Sequence, residues 1–329
     1  MKSPGLFPLI GLLLGAAAAC GTSSKPQQMA SGTGGAGGGE LHGSGGAGNT
    51  GGAGGQGGAG GAGGQADAGW PAGCAEQSAS IRTEGAIVEL AFELVLGGEP
   101  FLFGEPNVAP DGSTVTPLNV RFYVSHAALI GADGDLVPVD IVGPEGAATP
   151  YGVHFYNAED PGSATLRLRA PAGSYEGVSF VWGLHQACNT SRPETNVAPL
   201  SEASQMTWPH TGYLFLRYEG SVAPPAEGEG GSGDPDGETA TVPPAVHMGG
   251  NLAMDLAPRV EVRGALSVPA SGSTGKVVRV VLDEVFAGAT ADIDLTGYVP
   301  PPGPVGDELY AGERLRRGLP DLTVFSFGP

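Results

Sequence analysis

The sequence contains few positive charges and very little lysine. Its 329 residues include 15 lysines and arginines against 34 aspartates and glutamates, which gives a formal net charge of −19 and a pI near 4.5. Only Lys2, Lys25 and Lys276 are lysines. Nucleic acids and anionic lipids repel a chain of this charge, so the composition argues against both as electrostatic partners and favours attraction of cations.

The common catalytic motifs are also missing. The sequence has no G-x-S-x-G nucleophile elbow, no H-E-x-x-H zinc motif and no compelling pair of acids. Ser125 and His126 are neighbours, but adjacent residues of a strand point to opposite faces and cannot form a direct nucleophile–base hydrogen bond. We therefore expect a binding protein rather than an enzyme.

No hydrophobic run is long enough for a comfortable membrane span. The longest, Leu6 to Ala19, follows Met1 and Lys2 and ends in small residues before Cys20, which is typical of a signal peptide. The segment Leu14 to Cys20 resembles a bacterial lipoprotein signal, so residues 1–20 predict export and a lipid anchor on Cys20. The alternative is an ordinary secretory signal cut nearby, and it also predicts export.

The next segment has almost no bulky apolar residues. From Gly21 to about Gly69 it consists mainly of Gly, Ala, Ser and Gln, with repeated Gly-Gly-Ala-Gly units, and it cannot bury a core. We expect residues 21–73 to be a disordered linker. As a Gly-rich coil it would span about 40 Å, which suits a tether between a membrane and a domain.

Cysteine is scarce as well, and only Cys74 and Cys188 remain beyond the signal. In an oxidising exported environment two cysteines more often form a disulfide than a metal pair, and their spacing matches no zinc motif. We predict a disulfide between them.

Residues 74–329 have the length and pattern of one large all-β domain. Val88, Leu90, Phe92, Leu94 and Leu96 alternate with Glu89 and Glu93, as in a half-buried strand. A hairpin is predicted from Leu118–Ile130, the turn at Asp133-Gly134 and Leu136–Val142. Further strands are predicted at Val153–Tyr156, Thr165–Arg169, Gly177–Leu184, Tyr213–Tyr218, Leu252–Leu256, Arg259–Val268, Lys276–Asp283 and Ile293–Tyr298, with an edge strand in Leu322–Phe327. Only Asp307–Arg317 looks helical. The prediction is a single β-sandwich with long loops.

The segment Ser204–Gly220 combines a thioether, an indole and an imidazole ahead of an aromatic strand. Met206, Trp208 and His210 stand at i, i+2 and i+4, so in extended backbone they project to one side about 6.6 Å apart. They could converge on a soft metal ion. The alternative is that Met206 and Trp208 belong to the core and that His210 is a satisfied histidine at a strand end.

Several segments resemble the MbnP-like (methanobactin-partner) copper proteins and the related secreted proteins of methane oxidisers. M-x-W-x-H-x-G-Y-x-F-x-R, from Met206 to Arg217, resembles the signature segment of that family. PLNVRFYVSHAAL, AGSYEGVSFVWGLHQACN, APLSEASQMTW and VHMGGN resemble its other elements in order and spacing. Some relatives have M-x-W-x-W instead, so His210 favours the copper-binding branch.

The resemblance implies a periplasmic or surface protein that binds Cu(I). In the best-matched relatives a di-haem enzyme of the MauG type oxidises a tryptophan to kynurenine, which joins two histidines at the ion. By position these residues are Trp208, His210 and His247, with Met206 as a further candidate ligand. Imidazole and thioether suit copper, whereas carboxylates favour harder ions. The alternative function is a surface structural or adhesion sandwich without a metal.

Three other histidines have weaker signals. His126 alternates with Val120, Phe122 and Val124 on an apolar face, which predicts a structural role. His185 is expected in a loop, where it would bind backbone groups. For His154 the sequence identifies no partner.

Overall fold

The fold is described by a computed structural model for residues 74–76, 80–208, 212–225, 242–249, 257–296, 298 and 306–329. All of them belong to the unit Gly63–Pro329. The predicted signal peptide, Cys20 and the predicted linker 21–73 lie outside the described residues, as does the predicted strand Leu252–Leu256.

Strands dominate the described part of the chain, as the alternating patterns predicted. The helices found there are too short or too polar to cross a membrane. In chain order the elements are β1 (Ala86–Leu96), β2 (Glu99–Pro100), β3 (Asn107–Val108), β4 (Thr114–Ile130), β5 (Leu136–Pro138), β6 (Asp140–Val142), β7 (Val153–Asn157), β8 (Thr165–Ala170), β9 (Gly173–Trp182), α1 (Gln186–Asn189), β10 (Thr207–Trp208), β11 (Gly212–Ala223), β12 (Ala245–Gly249), β13 (Arg259–Val268), β14 (Ser273–Val281), α2 (Leu282–Thr290), α3 (Asp307–Gly318) and β15 (Phe325–Phe327).

The first sheet has the order β15-β14-β1-β8-β6, with β2 beside β1. Its pairs are antiparallel except for β1 with β14. The alternation predicted for β1 is confirmed, because every second residue from Val88 to Leu94 is buried. On the other face Glu89 pairs with Arg167 and Glu93 with Arg279. The sheet therefore has one apolar face and one polar face.

The second sheet is built around the 17-residue strand β4. Its main path is β10-β11-β4-β9-β13; β12 pairs with β11, and β3, β5 and β7 pair with β4. The predicted hairpin is confirmed only in its first part, since β5 pairs with β4 whereas β6 crosses to β8 in the first sheet. The chain changes sheets at Val139, which lies between the two short strands.

Aromatic side chains from both sheets meet in one core. Phe92 of the first sheet packs edge-to-face on Phe122 of the second, with ring centroids 5.3 Å apart. Phe325 packs in the same way on Trp182, at 5.0 Å, and on Phe180, at 5.2 Å. Edge-to-face pairs stabilise such a core beyond the area they bury. Two sheets that share one interior form the predicted β-sandwich.

Helix α3 lies against the edge of β12. Gly312 approaches the backbone of His247 so closely that a Cβ at this position would overlap the His247 carbonyl. A helix over an edge strand protects its backbone groups from pairing with another chain. The prediction of a helix at Asp307–Arg317 is confirmed.

Two predictions near the C-terminus are wrong. The strand predicted for Lys276–Asp283 ends at Val281, and α2 begins at Leu282. Its buried residues Leu282, Val285, Phe286 and Ala289 recur at helical spacing. The strand predicted for Ile293–Tyr298 is absent from the described residues there, where the Asp294 carboxylate accepts hydrogen bonds from the backbone and hydroxyl of Thr296. Such a local turn competes with strand formation.

Candidate metal centre

The strand before the predicted metal-binding loop is anchored at Met206. The side chain of Met206 is fully buried, and its carbonyl accepts a hydrogen bond of 2.7 Å from the Leu214 amide. Two residues later the backbone of Trp208 pairs with Gly212. The side chain of Trp208 and the whole of His210 lie outside the described residues.

Gln205 is held in a left-handed conformation, with a φ of 55°, by two arginines. Arg121 Nη1 donates to its side-chain oxygen at 2.8 Å, and Arg217 Nη1 donates to its carbonyl at 2.7 Å. Residues other than glycine adopt this conformation rarely and at a cost in free energy. The two guanidinium groups therefore fix the direction in which the chain enters the Trp208 strand.

A row of polar residues crosses four neighbouring strands at the level of Arg217. Arg121 of β4 pairs with Asn157 of β7 and with Arg217 of β11, and Arg217 pairs with His247 of β12. Directly paired residues point to the same face of a sheet. His247 therefore belongs to a hydrogen-bonded polar layer on the face opposite the aromatic core.

His247 is 7% exposed and contacts Glu219. Its Nε2 lies 2.9 Å from Glu219 Oε1, and the same carboxylate accepts hydrogen bonds from Arg217 at 2.9 and 3.1 Å. Burial lowers the pKa of His247 below its ordinary value although Glu219 acts in the opposite direction. Burial would raise the pKa of Glu219, but the hydrogen bonds and charge of Arg217 outweigh it and the pKa is lowered.

These shifts give His247 a neutral imidazole and Glu219 a carboxylate near neutral pH. A carboxylate accepts but cannot donate, so Nε2 carries the imidazole proton and Nδ1 carries the lone pair. A carboxylate in this position is the usual support of a metal-binding histidine. Arg217 and Glu219 stand two apart in the strand and share a face, but the sequence does not indicate that His247 lies opposite them.

The strand register sets the spacing of the predicted ligands. Trp208 pairs with Gly212, and His247 pairs with Arg217, five positions further along β11. At about 3.3 Å per residue, the two pairs are about 16 Å apart along the strand. The structure thus places Trp208 and His247 on strands that flank β11, at different levels.

A second pair of imidazoles was not predicted from the sequence. The rings of His126 and His185 have centroids 4.7 Å apart. The alternation that put His126 on an apolar face fails here, because β4 has a register shift between Ser125 and Ala128 and His126 has a φ of 48°. His185 follows β9 and caps α1. Neither residue type nor spacing in the sequence indicates that these two segments meet.

The disulfide joins Cys74 to Cys188, whose Cα atoms are 4.8 Å apart, and it closes a separation of 114 residues. Both cysteines of the described part are therefore unavailable as thiolate ligands. No group of three or more His, Cys, Asp or Glu residues suited to a metal ion occurs in the part of the chain that the structure describes. Within that part, imidazole nitrogens and methionine thioethers, such as that of the buried Met206, are the donors that suit copper.

Fold and polar layer together define an all-β sandwich protein with the buried imidazole of His247 in one sheet. The profile of the MbnP family matches residues 85–299, and the chain belongs to that family. Among solved structures, MbnP from Methylosinus trichosporium is similar, with 21% identity over 61% of this chain and 77% of that one and a TM-score of 0.40. A comparison with curated proteins gives no significant match.

Proposed function

We propose that this protein is an exported copper-binding protein, anchored by a lipid on Cys20, in which His210 and His247 hold Cu(I). In this proposal Trp208 is oxidised to kynurenine by a di-haem enzyme of the MauG type. The observation that carries the proposal is the family match, which spans Trp208, His210 and His247 and connects the chain with copper and methanobactin. Family members are secreted or periplasmic, which supports export.

The surroundings of His247 support a role as a ligand. Copper binds the neutral form of imidazole, and burial, which lowers the pKa of His247, favours that form. The contact with Glu219 fixes the tautomer that leaves the lone pair on Nδ1, a nitrogen that is inaccessible to solvent, so copper binding there requires the groups around it to move apart.

The position of Trp208 supports its role as the modified residue. β10 is two residues long and stands at the end of its sheet path, beside β11. A modifying enzyme needs access to the residue, and a short terminal strand offers more access than a central one. Opening of the indole ring would add an amine and a carbonyl as potential ligands. Because the strand pairs of Trp208 and His247 are about 16 Å apart along β11, β10 would have to move toward His247 for both to contact one ion. In this proposal the protein is a substrate of the di-haem enzyme, and its own role is to bind copper rather than to catalyse a reaction.

Copper titration of the mature chain tests the ligands. In competition with a Cu(I) chelator, His210→Ala and His247→Ala should each weaken binding at least about tenfold, because the site loses one of its two imidazole donors. His42→Ala, in the predicted linker, is the matched control and should bind as the wild type does. Indifference to both substitutions would instead support a structural or adhesion sandwich without a metal.

Mass spectrometry tests the modification separately. Protein purified from cells that contain the di-haem partner should show a gain of one dioxygen less one carbon monoxide in the peptide with Trp208. An intact indole in that peptide, despite the active partner, would contradict the kynurenine proposal. The histidine ligands would still be tested separately by the copper titration.

A further inference from the structure

We infer that His126 and His185 form a second Cu(I) site, separate from the one proposed for His210 and His247. The rings come from different segments, the register shift of β4 and the residue that precedes α1, and their centroids are 4.7 Å apart. Both residues are half-buried, so they are partly shielded from water yet reachable from it.

The ring separation fits one shared metal ion. With metal–nitrogen bonds of about 2.0 Å, a metal lies about 3.1 Å from each imidazole centroid. The two centroids are then about 4.5 Å apart for a right-angled pair of ligands and about 6.3 Å apart for a linear pair. The observed 4.7 Å lies at the bent end of this range, which leaves a third position that no His, Cys, Asp or Glu of the described residues fills.

Contacts that involve no metal hold both segments in place. The backbone of His126 has a positive φ, and its carbonyl accepts a hydrogen bond of 3.2 Å from Arg259. The neighbouring Ser125 hydroxyl donates to the Gly183 carbonyl at 2.9 Å. The carbonyl of His185 accepts from the amide of Cys188, which the disulfide ties to Cys74. Backbone strain held by such contacts is concentrated at functional sites.

The donor atoms follow from the surroundings of each ring. Nδ1 of His126 is inaccessible to solvent, which makes Nε2 its donor. Nδ1 of His185 accepts a long hydrogen bond of 3.3 Å from Ala187. Binding through Nε2 of His185 moves the proton to Nδ1 and gives up this bond, so the imidazole stays neutral and its net proton count does not change.

The charge of the surroundings favours a monovalent ion. The guanidinium of Arg259 lies at the His126 carbonyl and opposes the entry of a second positive charge. Two neutral imidazoles offset less positive charge than carboxylates would. They therefore stabilise a bound divalent cation less well than a monovalent one such as Cu(I). Imidazole is also a better ligand for copper than for calcium or magnesium, which prefer oxygen ligands.

Copper stoichiometry of the full mature chain tests this site. Compared with the wild type, the double variant His126→Asn/His185→Asn should lose one equivalent of Cu(I) in chelator competition. The double variant His210→Ala/His247→Ala should retain that equivalent. The two variants therefore test the two proposed sites independently. The control is again His42→Ala, which should retain all bound copper.

A measurement on the wild-type protein covers the case in which the double variant does not fold. Ag(I), a diamagnetic substitute for Cu(I), should shift the ring signals of His126 and His185 together in NMR spectra, at one common equivalent. Unchanged stoichiometry in a folded double variant, or ring signals that do not respond to Ag(I), would overturn the proposal.

Discussion

At the scale of single residues, Glu219 decides which nitrogen of His247 can serve a metal. Its carboxylate sits between the guanidinium of Arg217 and Nε2 of His247, with contacts of 2.9 Å to each. Because Arg217 keeps the carboxylate ionised, Glu219 acts only as an acceptor toward the histidine. The ring is thereby held in one tautomer and one orientation.

Glu219→Gln should therefore weaken Cu(I) binding without unfolding the protein. Losing such a support typically costs about 10- to 100-fold in metal affinity, and we expect a change in this range in chelator competition. Glu261→Gln is the matched control, since Glu261 also pairs with an arginine two residues away, Arg263, but on an exposed surface. Equal affinity of the two variants would show that Glu219 does not support a ligand.

His154 makes stability depend on pH. Burial lowers its pKa from 6.5 to about 4, and its Nε2 is inaccessible to solvent. Between these values the unfolded chain binds a proton that the folded protein does not, so protonation favours unfolding and stability falls as the pH drops from 6.5 to 4.

The His154→Gln variant should lose part of this pH dependence. Between pH 6.5 and 4.5, the fall in the free energy of unfolding should be smaller than in the wild type by about 2 kcal/mol. Urea unfolding at the two pH values measures it. Parallel falls in the two proteins would assign the acid sensitivity to other groups.

At the scale of elements, the contact between α3 and β12 depends on one glycine. An alanine at position 312 would overlap the backbone carbonyl of His247, and a backbone group cannot move aside as a flexible side chain can. Gly312→Ala should lower the free energy of unfolding by about 2 kcal/mol or more, in spite of the better helix propensity of alanine.

Gly318→Ala is the control for helix propensity in the same helix. A Cβ there would come 3.1 Å from the end of the Ile293 side chain, which can move. Its stability should stay within about 1 kcal/mol of the wild type. If chemical denaturation shows the two variants to be equally stable, α3 does not pack on β12 as described.

Elements with one strong periodicity were predictable from the sequence. β1 has apolar residues at every second position, with Glu89 and Glu93 between them, and α3 has a helical pattern with Gly318 and Pro320 at its end. The start of α2 was not predictable by alternation, because Val278, Val280 and Leu282 continue the strand pattern into the first helical residue. Short apolar runs fit both periods.

The candidate site was predictable only in part for a related reason. The family resemblance identified His247, but its carboxylate partner depends on the register of β11 with β12, which no local pattern specifies. The contact of His126 with His185 depends on a register shift in β4 and on the end of β9. Such meetings are set by tertiary packing rather than by spacing along the chain.

At the scale of the whole molecule, charge and architecture agree with the handling of a cation. A net charge of −19 lowers the electrostatic potential around the protein and attracts positive ions at long range. The sandwich provides a frame in which packing and hydrogen bonds, rather than a metal, place His247 and the pair His126 and His185. Anchoring through Cys20 would hold this frame at a membrane, at the end of the linker.

X-ray absorption at the copper edge of the Cu(I)-loaded mature protein tests the central claim most directly. Our account predicts nitrogen ligands with the outer-shell scattering of imidazole, diminished when His210 and His247 are replaced. A spectrum with oxygen ligands alone, or one that none of the histidine substitutions changes, would contradict it.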